Sequence, residues 1–99
     1  MSIKIQLTSI VLIDEEHNKK VVGIILTLPE STDEALWQCR FRFDGLHKNE
    51  RVVFGNDALQ AISLCIGTIR CEIASLRKSG LRILDATEQY DYSTDDLVI

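Results

Sequence analysis

Trp37-Gln38-Cys39-Arg40-Phe41-Arg42-Phe43-Asp44-Gly45 is the stretch on which the fold turns. Trp37, Cys39, Phe41 and Phe43 share one parity, and Gln38, Arg40 and Arg42 share the other. A period of two sends the sets to opposite sides of an extended chain, so the stretch is a strand with one buried face. Asp44-Gly45 ends it as a turn, and residues 51–54 form a short strand beyond the loop.

Upstream, Ile3, Ile5 and Leu7 alternate with Lys4, Gln6 and Thr8 as another strand. The phase slips at Ser9; a bulge there, or burial on both faces, accounts for the slip. The polar run 14–20 reads as a hairpin loop. Residues 21–28 follow as a strand apolar on both parities, ended by Pro29, which cannot donate to a ladder. Residues 30–35 are a polar connection.

Downstream, Gly55-Asn56-Asp57-Ala58-Leu59-Gln60-Ala61 opens a helix over residues 57–79. Asp57 is its N-cap, and the Gln60 side chain reaches back to Asp57 as in a capping box. Ala58, Ala61, Ile62, Cys65, Ile66, Ile69, Ile73 and Leu76 recur every three or four residues as one apolar stripe. Arg77, Lys78 and Gly80 make an orthodox end. About 23 residues span roughly 35 Å, enough to cross a whole sheet. Residues 81–84 return as a short edge strand. Strands first and one helix afterwards predict an α+β fold, a four- or five-stranded antiparallel meander with one long helix on one face. The order is β-β-β-β-α-(β), and the core gathers Trp37, Phe41, Ile62, Cys65, Ile66, Ile69 and Ile73.

The Trp37-Gln38-Cys39 strand, the Gly45 turn and the Gly55-to-Ala61 helix start resemble a family of short uncharacterised bacterial proteins. Its members share a W-x-C strand and a G-x-D-x-x-Q-A-L helix start; Ile62 stands here in the place of that leucine. The resemblance spans roughly residues 36–84. It implies the same architecture and carries no assigned activity.

Ninety-nine residues, 45% apolar and 26% charged, suit a single domain, expected over 1–84. The segment 85–99 belongs to that domain or docks loosely on it. It holds Asp85, Glu88, Asp91, Asp95 and Asp96 without a Lys or Arg, so the −4 of the chain becomes +1 over the first 84 residues. That balance argues against nucleic acid as a partner. No segment reads as a membrane span of about 20 apolar residues. The three cysteines form no disulfide framework, which points to a reducing, cytoplasmic setting.

No nucleophile lies beside a held base, and no glycine-rich phosphate loop is present, so an enzyme is not expected. Cys39 and Cys65 read as buried small hydrophobes, and Cys71 leaves the core stripe. His17 and His47 fall in loops. Neither a metal site nor a cofactor is expected.

The candidate contact residues form three groups. Arg40 and Arg42 project from the uncovered sheet face, with Arg51 opposite them on the next strand. Asp57 and Gln60 either cap the helix or line a ligand pocket between the helix mouth and the Trp37 strand. Tyr90 and Tyr92 are apolar anchors within an acidic arm that can pair with the arginine face, within the chain or across a dimer. The leading reading is a non-enzymatic protein-binding module, with an immunity-like toxin inhibitor as one concrete version. The second is a small-ligand-binding or catalytic domain at the helix mouth. Apolar side chains on both parities of 21–28 predict a homodimer as well as an unknown protein partner.

Overall fold

The computed structural model describes residues 2–92. Its elements are β1 (Lys4–Ile13), β2 (Lys19–Ser31), β3 (Trp37–Asp44), β4 (Arg51–Gly55), α1 (Ala58–Lys78) and β5 (Arg82–Asp85). The five strands form one antiparallel sheet in the order β4-β3-β2-β1-β5. The first four are a meander. α1 then runs back over the sheet, and the chain that leaves it reaches the opposite edge, where β5 pairs with β1. This is the expected α+β architecture.

Register builds the core. Ile24 lies opposite Phe43, Leu26 opposite Phe41 and Cys39 opposite Val53, which turns all six side chains toward α1. The helix answers with Ala61, Cys65, Ile69 and Ile73, all buried and each four residues after the last. Such a row advances about 40° per step, so it slants across a twisted sheet. Ile62 and Ile66 sit on its flank and, like Trp37, are only partly buried. Ile10, Leu12 and Ile83 extend the cluster toward β5.

The ends of α1 follow from local chemistry. Asp57 Oδ1 accepts from the Gln60 amide at 2.7 Å. Gln60 Oε1 accepts from the amide of Asn56 at 2.6 Å, one residue earlier than the capping box predicts. Gly55 has to be glycine here, because a Cβ would stand 2.5 Å from the Ala61 nitrogen.

Several expectations are corrected. α1 packs on β4, β3 and β2 instead of crossing the whole sheet. β2 runs through Pro29 to Ser31, since a register shift between Thr27 and Glu30 lets the ladder skip the missing N–H. The bulge expected near Ser9 is present, between Gln6 and Thr8. β2 starts at Lys19 because Asp14 closes a tighter turn, its Oδ1 accepting from the Glu16 and Asn18 amides at 2.9 Å. By length and composition alone α1 is long and apolar enough to cross a membrane, as the core helix of a soluble protein can also be. Exposed Leu59 and Leu64 raise its apolar content, while its buried row packs on the sheet.

Candidate functional site

Alternation along each strand gives the sheet a second face, turned away from α1. Register across β3 and β4 sets Val52 opposite Arg40 and Phe54 opposite Gln38 on that face. Val52 is 45% exposed and Phe54 52%, beside partly buried Arg40 and Arg42. Val21 is exposed on the same face, whereas Val11 and Leu84, cross-strand partners, are buried there.

The arginines are held in place. Arg40 Nη2 donates to Glu30 Oε1 at 3.0 Å and to the Ser2 hydroxyl at 2.9 Å. The Ser2 hydroxyl, then Arg40, holds the Glu30 carboxyl below the usual carboxylate range. Arg42 approaches Asp44 at 3.7 Å. Its Nε and the Thr27 hydroxyl are buried without a partner among the described residues. Thr27 pairs with Arg40 across β2 and β3, so both orphaned groups lie on the arginine face.

Arg51 does not join them. It pairs with Phe41, so its side chain falls on the helix face, with its guanidinium 5.5 Å from the Phe41 ring centroid. The sequence reading missed that a slip of one position reverses the face. There Arg51 Nη1 donates to Glu72 Oε2 at 3.1 Å, and His47 Nε2 lies 3.1 Å from Glu72 Oε1. Glu72 was not a candidate in the sequence, because a lone acid on a helix looks like solvated surface. An open pocket of about 440 Å³ lies over this trio, lined also by Phe43, Leu46 and Lys48.

Asp57 and Gln60 are engaged as caps at the close Gly55–Ala61 contact, so the expected ligand mouth is occupied by packing. The acidic arm also differs from expectation. The amide of Asp85 donates to the Tyr90 carbonyl at 2.9 Å and that of Tyr92 to the Ile83 carbonyl at 2.9 Å. Arg82 meets Asp91 at 3.1 Å and Lys19 meets Glu88 at 2.6 Å. These acids therefore serve nearby cations and not Arg40 or Arg42. Tyr92 packs against the protein's own core, and Tyr90 stays exposed. Asp95 and Asp96 lie outside the described residues.

Cys39 and Cys65 are buried, and Cys71 is exposed. Burial pushes both buried thiols up, and the neighbouring Cys39 thiol adds to the effect on Cys65.

The family described as a domain of unknown function, DUF6968, matches residues 9–94. No curated protein and no solved structure matches the chain. The family match takes in the second half of β1, β2 and the turn after β5 as well as the helix start, and the chain belongs to the DUF6968 family.

Proposed function

We propose that this chain is a non-enzymatic protein-binding module whose contact surface is the β3–β4 part of the sheet face turned away from α1. The observation that carries the reading is the exposure of Val52 and Phe54 beside Arg40. Aromatic and arginine side chains with few other charges are the composition of interface centres. Glu30 and Asp44 hold the two arginines, which lowers the entropy cost of engaging a partner carboxylate. The described acids of 85–92 already have partners in the chain, which favours the sheet face over the acidic arm as the contact. A non-enzymatic role accords with the deeply buried thiols and with the mutual neutralisation of Glu72 and Arg51.

The test compares immobilised wild-type chain with an Arg40→Glu/Phe54→Lys variant in extracts of the source cells. A specific protein retained by the first and lost by the second, across several salt concentrations, is the expected result. Identical retention by both overturns the reading.

A second reading, a small-ligand domain, is favoured by the pocket over Glu72. Its lining offers Lys48 and the Arg51 guanidinium, which suits a carboxylate or phosphate. Saturable stabilisation by inorganic phosphate, abolished by Arg51→Ala, is its test.

A further inference from the structure

The open edges of the sheet differ in how well they are guarded. The outer side of β5 is taken by the returning chain, through the Leu84–Asp91 bridge and the Tyr92 amide. β1 extends beyond β5 from Lys4 to Thr8, and there it carries a lysine and a bulge. Both devices discourage edge-to-edge pairing. β4 is the other terminal strand and has neither; its sequence is Arg-Val-Val-Phe-Gly.

We propose that β4 is a self-association strand. Two copies pair β4 with β4 antiparallel about a two-fold axis at Val53, joining their sheets with both helices on one side. This rests on the protein-binding reading and names its partner as a second copy of the chain.

Self-complementarity argues for the second copy. Pairing about Val53 sets Val52 opposite Phe54 of the second copy and Arg51 opposite Gly55. The only charge on the strand then meets a glycine, not its own image, and the two exposed apolar side chains cover each other. The helices fit the same axis. α1 packs chiefly on β4 and β3, so an axis above that seam lies about 5 Å from the two-fold. Two such helices stand about 10 Å apart, the distance of packed helices.

The helix side chains on that flank agree. Leu64, Thr68 and Glu72 form one row at spacings of four, and Glu72 is bound to Arg51 of β4. The row therefore runs along the β4 side, where Leu64 is 47% exposed. The two-fold at Val53 brings this row beside its own copy and covers the exposed Leu64.

Sedimentation equilibrium of the full chain, from micromolar to submillimolar concentration, tests the proposal together with Phe54→Lys and Ile5→Lys variants. The parent is expected to approach twice its 11.2 kDa. Phe54→Lys should weaken association at least tenfold, while Ile5→Lys, on the guarded β1 edge, should leave it unchanged. Amide exchange read with increasing concentration should slow in β4 and not in residues 4–8. A parent that sediments as a monomer throughout, or a Phe54→Lys chain that associates like the parent, overturns the proposal. Either outcome leaves a different protein free to bind the arginine face, so the broader reading stands or falls separately.

Discussion

The sheet has two terminal strands, and they reach stability in different ways. β5 is four residues long, but the chain after it folds back and supplies backbone bonds, two ion pairs and Tyr92 packing. β4 is five residues long and receives its support from above, through α1, with Val53 and Gly55 turned to the helix. One edge is closed by its own sequence neighbours, and the other is held only from one face. Apolar exposure is not confined to β4, since Ile3, Ile5 and Leu7 are exposed at the start of the chain, but on β4 it lies on a strand that the helix holds. A strand fixed by a helix can keep Val52 and Phe54 in water without fraying, whereas β5 depends on its cover.

If α1 is what holds β4, the largest effect comes from breaking their shared core. Ile69 is 2% exposed, so Ile69→Asp buries a carboxylate without a partner and removes an aliphatic side chain. The loss should be about 4 kcal/mol or more, against a total of about 5–15. The chain should therefore lack a cooperative thermal transition by circular dichroism. An unchanged melting temperature would mean that the helix face is assigned wrongly.

A smaller test addresses the joint itself. Gly55→Ala places a Cβ against the backbone of Ala61, which cannot move as a side-chain tip can. About 1–3 kcal/mol of destabilisation is expected. Urea titration reads it as a lower midpoint at unchanged slope. A neutral substitution would show that strand and helix are less tightly joined than their geometry indicates.

The two edges were not equally legible in the sequence. Strong alternation at 37–43 and the 57–79 stripe identified β3 and α1, because there one period dominates and caps mark the ends. Face assignment failed at Arg51, since a five-residue strand after an irregular loop carries no phase of its own. The Glu72–Arg51–His47 trio was hidden for a related reason. Its members are 21 and 25 residues apart, and only the hairpin register brings them under the helix. The turn after β5 was read as an acidic arm because charge was its loudest feature; the pairing of Asp91 and Tyr92 with β5 has no short-range signature.

A third test sets the edges against each other directly. Tyr92→Ala at the closed edge removes a side chain packed on the core and should lower stability by about 1–2 kcal/mol. Phe54→Ala at the open edge should change it by no more than about 0.5 kcal/mol, measured at concentrations below any association. Equal losses in the two variants would erase the distinction between a closed edge and an exposed one.

The smallest expected effect is an acid dependence confined to the closed edge. Asp85 accepts from the Thr87 hydroxyl at 2.6 Å and from the Thr87 amide at 3.1 Å. The hydroxyl bond, more than any other contact, holds its carboxyl below the usual aspartate range. A group depressed in the folded chain contributes stability above its unfolded pKa and loses it as pH falls through the folded value. The turn at 85–90 should therefore be fully supported at neutral pH and loosen below about pH 4. Amide exchange at Asp85 and Tyr92 should accelerate in that window relative to the β4 amides, which lie in the ladder with β3 and not in a turn closed by a carboxylate. Asp85→Asn should flatten the difference, because the amide side chain does not titrate. Equal acceleration at both edges would trace the acid effect to the fold as a whole and not to the cover on β5.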